Sequence, residues 1–193
     1  DSLKTLSIRT QNLNGEYEPA VVKVTIHKLV EEKRLIRHRY WERPDQFVMT
    51  KDEYIRNFPY DEYDNESDYK SWEKGEKIFE KTDSVKMNGD WSVGNGEYSP
   101  GFYIIEITTT DKNGEAVNDL KYIELFDEKS KQLNRPDYLW TGVKKTTAEP
   151  GETAKVELGT TADNLFVVQQ LDNQTGIQDP SVHKYSFLKL HRE

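Results

Sequence analysis

The chain has 193 residues, 34% of them apolar, 11% aromatic and 32% charged, with no cysteine and a formal net charge of -8. A chain of this length can bury a core, its aromatic content sets it apart from disordered sequences, and its acidic balance excludes the basic footprint that nucleic-acid binding requires. The absence of cysteine excludes a disulfide framework, thiolate chemistry and thiolate-bound metal, and no apolar run approaches the ~18 residues of a spanning helix.

The first residue is Asp, and the chain is expected to be a processed product or a fragment of a longer protein. "SLKTLSIRTQNLNGEY" predicts a strand over residues 3–10 that ends in an Asn14-Gly15 turn. "EPAVVKVTIHKL" alternates after its Pro, with Val22, Val24 and Ile26 on one side and Lys23, Thr25 and His27 on the other. That period of two predicts a half-buried antiparallel strand.

Residues 39–81 are too many for a sandwich loop without structure of its own. Within them "MTKDEYIRNFP" predicts a short helix, with Thr50 as N-cap, Glu53 completing a capping box, Met49 stapled to Tyr54 and Pro59 closing it. Ten of the 22 aromatic residues lie between positions 40 and 79. They predict either anchors for a segment with little else to bury or an interaction surface, for which Trp41, Tyr63 and Trp72 are the candidates. "DEYDNESD", residues 61–68, gives Asp64, Glu66 and Asp68 the one-three-five spacing of a calcium loop. Tyr69 and Gly75, however, stand where such a loop needs Gly and Glu. A solvated acidic loop is expected instead, and no metal site is assigned. "EKIFE" predicts a strand over residues 76–80.

"YSPGFYIIEITTTDKNGEAVNDLKYIELFD" predicts a hairpin with a tight turn at Asn113-Gly114. Gly101 and Tyr103 at its start have the Gly-x-Tyr pattern of a corner tyrosine in immunoglobulin-like sandwiches. "DEKSKQLNRPD" lacks any apolar period and predicts a linker, placed at 131–137. Beyond it strands are expected at 140–145, 154–158, 165–171 and 185–190, with a turn at Pro150-Gly151. The expected organisation is a β-sandwich over 1–130 carrying the insertion at 39–81, then a second unit over 138–193. Its strands amount to half a sandwich, which should leave Phe166, Val168 or Phe187 exposed, or covered by the first domain or a neighbouring chain.

His27, His38, His183 and His191 have no metal-ligand spacing on one element, and no phosphate loop, dinucleotide fingerprint or nucleophile elbow occurs. No catalytic, cofactor-binding or metal-binding residue is assigned, and the chain is not expected to be an enzyme. Two Asn-x-Ser/Thr sequons, at Asn65 and Asn173, occur at a frequency expected by chance.

The hairpin quoted above resembles the closing hairpin of a macroglobulin-like domain, with its Pro-Gly-x-Tyr entry and Asp-x-x-Gly turn. "TTAEPGETAKVELGTTADNLFVVQQLD" resembles the opening strands of the next such domain, and the segment from Arg39 to Lys81 is similar to those of large alpha-2-macroglobulin family proteins of the Bacteroidetes. The resemblance implies an all-β, antiparallel, macroglobulin-like fold in a structural fragment of a large envelope protein, periplasmic or outer-membrane-associated. Its partners would be neighbouring domains of the same chain and, through the full-length protein, proteases entrapped after cleavage of a bait segment. The thioester that many family members use needs a cysteine, and none is present. The alternative reading is a surface-glycan binding module or adhesin domain.

Overall fold

The alternating stretch after Pro19 becomes the strand around which the first half of the chain is organised. The computed structural model describes residues 3–87, 90–94, 96–127, 130, 132–143, 156–163, 165–169, 172–173, 176–177, 181–185 and 191–192. In chain order, β1 (Thr5–Ser7), β2 (Val21–Leu29), the helix α1 (Lys51–Asn57), a 3-10 turn (Tyr69–Ser71), β3 (Lys74–Ser84), β4 (Asp90–Ser92), β5 (Gly101–Thr110) and β6 (Ala116–Leu125) precede the linker region. All strand pairs are antiparallel, and the main sheet has the order β3-β2-β5-β6, with β1 and β4 forming a second, two-stranded sheet. The fold is all-β and sandwich-like.

Burial explains the different sequence textures of these strands. Val22, Val24 and Ile26 of β2 are at most 1% exposed and pack with Tyr103 and Ile105 of β5 and with Leu6, Val85, Trp91 and Val93 from the small sheet and its flanks. β5 is buried on both faces: Phe102 and Ile104 join Leu29 in a second cluster, closed by Tyr69, Trp72 and Tyr122. A strand covered on both sides reads as a continuous apolar run, and "GFYII" is one. β2 keeps a polar face because Lys23 pairs with Glu80 at 3.2 Å and His27 lies 3.8 Å from Glu106. His27 is half-buried there, with its Nδ1 3.3 Å from the Gly75 carbonyl.

Two turns repeat one geometry. In "NLNGE" the Asn12 Oδ1 accepts the N–H groups of Asn14 and Glu16, the Gly15 N–H donates to the Asn12 carbonyl at 2.9 Å, and the Asn12 N–H donates to Glu16 at 2.8 Å. In "DKNGE" Asp111 Oδ1 accepts from Asn113 and Glu115, Gly114 donates to the Asp111 carbonyl at 3.1 Å, and Asp111 donates to Glu115 at 2.8 Å. Gly15 and Gly114 sit at φ 81 and 88, where a side chain would be strained. The Asx side chain stands in for a backbone turn partner, and the following Asn-Gly supplies the left-handed residue.

The corner tyrosine is present. The Tyr103 hydroxyl donates to the Ser99 carbonyl, four residues upstream, with the ring 2% exposed. Lys28 closes the same corner by donating to Ser99 Oγ at 3.0 Å and to the Pro100 carbonyl at 3.1 Å.

The chain divides into two compact units, Asp1–Glu32 with Asp68–Lys129, and Lys33–Ser67 with Ser130–Glu193. The second therefore combines most of the helical segment with the C-terminal strands: β7 (Trp140–Val143), β8 (Val156–Gly159), β9 (Leu165–Gln169), β10 (Asp172–Asn173), β11 (Gly176–Ile177), β12 (Ser181–Tyr185) and β13 (His191–Arg192). They form antiparallel sheets β13-β8-β7, β12-β9 and β10-β11. Asp137, at the end of the expected linker, holds this unit by accepting from Thr161 N–H at 2.9 Å and receiving Thr160 Oγ1 at 3.2 Å. Phe166 and Val168 are each 64% exposed on β9, whereas Phe187 and the Pro150-Gly151 turn lie outside the described residues. No helix among the described residues is long and apolar enough to cross a membrane.

The strand expected over 3–10 is three residues long, and the one expected over 76–80 extends to eleven. Hydrogen-bond partners set both lengths: among the described residues β1 meets only the short β4, while β3 runs along the whole of β2.

Candidate functional site

The segment with the densest charge and aromatic content is Lys33–Ser67, where a basic series faces an acidic loop. Arg37 donates through Nε and Nη2 to Asp61 Oδ1 at 3.0 and 2.6 Å, and its N–H donates to the Tyr60 carbonyl at 2.7 Å. Arg39 reaches the Asp64 carbonyl at 2.9 Å, and Arg43 pairs with the Asp64 carboxylate. Lys51 lies 3.1 Å and Arg34 3.6 Å from Glu66 Oε1, while Glu66 Oε2 accepts the Asp64 N–H at 2.7 Å. Glu62 accepts from both the N–H and the hydroxyl of Ser67.

The acidic loop is thus an ion-paired element, where a solvated one was expected. Glu62 and Glu66 are 6% and 8% exposed, which a carboxylate tolerates only when its lone pairs are met. Burial opposes ionisation of Glu66, but the Asp64 N–H and the Lys51 ammonium outweigh it and hold its carboxyl below the ordinary value. Local sequence reading missed this pairing. The available signal was the co-occurrence of Arg34, Arg37, Arg39 and Arg43 with the acids of residues 61–66 in one segment.

Aromatic rings complete the packing. The Arg43 guanidinium lies 5.3 Å from the Phe47 ring centroid, Phe47 stacks on Tyr63 at 4.3 Å, Tyr63 meets Tyr54 at 5.3 Å, and Tyr54 meets Phe58 at 5.1 Å. Tyr63 also donates its hydroxyl to the Met49 carbonyl at 2.7 Å. Tyr54 packs on Phe58 and Tyr63, and Met49 contributes its carbonyl to the same cluster. Thr50 caps α1 as its sequence predicts, its Oγ1 accepting the Glu53 N–H at 3.3 Å.

The three candidate surface residues therefore have different environments. Tyr63 is a half-buried centre of packing. Trp72 meets Phe102 edge-on at 5.0 Å and closes the second face of the main sheet. Trp41 is 63% exposed, in a stretch whose neighbour Tyr40 is also exposed, and makes no ring contact among the described residues. Trp41 and Tyr63 share a compact unit and Trp72 belongs to the other.

The carboxylates of the calcium-like spacing are likewise engaged: Asp64 with Arg43, Glu66 with Lys51, and Asp68 with the Lys70 N–H, which caps the 3-10 turn. Among the described residues no group of three His, Asp or Glu side chains is placed to hold a metal ion. The arrangement fastens a charged segment into shape and leaves Tyr40, Trp41 and Tyr60 presented to solvent, at 95%, 63% and 55% exposure. No family model, no curated protein and no solved structure matches the chain.

Proposed function

We propose that the chain supplies structural and interaction domains of a larger alpha-2-macroglobulin-like envelope protein, whose full-length form entraps proteases. The observation that carries this reading is the sandwich with its corner tyrosine, followed after the linker region by a second set of antiparallel strands. A scaffold role also accounts for the ion pairs of Arg37, Arg43 and Lys51 and for the stacking of Phe47 on Tyr63, which are internal contacts of the segment. The test is to incubate the full-length protein with an endopeptidase. Limited cleavage, a change in hydrodynamic size and loss of the protease's action on protein substrates are expected. Unchanged protease activity would overturn the reading.

A second reading, a surface-glycan binding module or adhesin, is favoured by the exposure of Trp41, since an exposed indole can stack on a sugar ring. It expects glycan-array binding that Trp41→Ala abolishes, and an array without hits removes it.

A further inference from the structure

The two edges of the main sheet are built differently. On β3, six of eleven residues are charged, and its register against β2 shifts twice, between Ile26 and His27 and between His27 and Leu29. Charge and irregularity are the ordinary protections of an edge against strand addition. β6 has only Asp119, Lys121 and Glu124 charged among its ten residues and keeps an unbroken register with β5 from Ala116 to Leu125. Its first six residues are exposed, Val117 at 50% and Leu120 at 53%, and among the described residues the strand pairs with β5 alone. The Leu120 N–H donates to its neighbour's Asp119 Oδ1 at 2.9 Å. That donor is aimed out of the sheet, where a further strand would receive it.

We propose that β6 is a pairing edge for a second copy of this chain, the two β6 strands lying antiparallel about a two-fold axis at Leu120. In that register Asp119 faces Lys121 of the other copy and Lys121 faces its Asp119. Leu120 meets Leu120, Val117 meets Ile123, and the two members of each pair share a face of the joined sheet. A slip by one residue to either side would oppose residues from different faces. The nearest face-matched registers centre on Asp119 or on Lys121 and set like charges directly opposite each other. The strand is therefore complementary to its own reverse in one register, which a strand meant for an unrelated partner has no reason to be. Pairing releases the Asp119 carboxylate from the Leu120 N–H to the facing Lys121, and the N–H to the facing backbone carbonyl.

Sedimentation equilibrium of the 193-residue chain over a range of concentrations tests this, with Asp119→Lys and Lys121→Asp as variants. Both sites are exposed and lie outside the core, and the two changes shift net charge in opposite directions. The wild type should form a reversible dimer. Each single variant sets two like-charged pairs across the axis and should weaken dimerisation about tenfold or more. An equimolar mixture of the two variants restores opposite charges at both pairs and should recover the wild-type affinity as a heterodimer. A wild type that stays monomeric at the highest attainable concentration would overturn the proposal. So would single variants that self-associate as the wild type does, or a mixture no tighter than either variant.

Discussion

At Tyr103 one hydroxyl ties the entry of β5 to the turn before it. The ring fills the inner core while the hydroxyl satisfies the Ser99 carbonyl, so the residue both packs and fixes the chain's approach to the sheet. Tyr103→Phe keeps the ring and removes the bond. It should cost about 1 kcal/mol, read as a lower urea midpoint with an unchanged slope. Gly101, two residues before it, sits at φ 140, a backbone conformation that strains any other residue, so the Gly-x-Tyr pattern follows from backbone geometry. This much was legible in the sequence, because a corner is a local motif. The role of Glu66 was not, because its partners Lys51 and Arg34 lie 15 and 32 positions away in the chain. Its depressed pKa gives a signed expectation: stability from this contact is present above the ordinary glutamate value of 4.5 and is lost as pH falls through the lower folded value. Protection of the Lys51–Asn57 amides, taken relative to their intrinsic exchange rate at each pH, should therefore fall below that pH in the wild type. Glu66→Gln should exchange faster already at neutral pH and show a flatter acid dependence, and equal slopes in the two proteins would remove Glu66 as the cause.

Among the elements, α1 is the one whose ends were readable and whose stability is not its own. Seven residues are too few for an isolated helix in water, so the Thr50 cap and the Tyr54 contacts to Phe58 and Tyr63 carry it. Thr50→Ala should cost about 1 kcal/mol locally, with faster exchange confined to Lys51–Asn57 and no change in the main sheet. Uniform change along the chain, or none, would show that the cap does not hold the helix. The strands divide by the same logic of local against distant information. β2 could be read from its period because only one of its faces is buried, and the β5–β6 hairpin from its Asn-Gly turn. β3 was read short because an edge strand carrying Lys and Glu on its exposed positions shows alternation only around Ile78 and Phe79. The lid of Tyr69 and Trp72 over Phe102 could be read as aromatic content but not as a placement, since no local spacing encodes which sheet face a turn will cover.

Across the whole chain, the order of residues and the order of compact units differ. Lys33–Ser67 interrupts the first unit in sequence and groups with Ser130–Glu193, a division that composition cannot reveal because both boundaries fall in polar stretches. One contact within that unit explains how its two stretches are joined: Arg135 Nη1 donates to the Ser67 carbonyl at 2.7 Å, at the end of the ion-paired loop. A chain ending at residue 129 retains all four strands of the main sheet, both Asx turns and the corner tyrosine, since every strand and bond of that set precedes the cut. It loses Arg135 and everything else that completes the second unit. Limited trypsin digestion should then cleave at Arg37, Arg39 or Lys51 well before the main sheet is attacked, whereas the full chain resists at those sites. Arg135→Ala in the full chain should shift the same sites in the same direction to a smaller extent, because it removes one charge-assisted bond and leaves the remaining strands in place. Equal protection of Arg37, Arg39 and Lys51 in all three proteins would mean that the arginine and carboxylate pairs inside Lys33–Ser67 hold that segment without help from the C-terminal stretch.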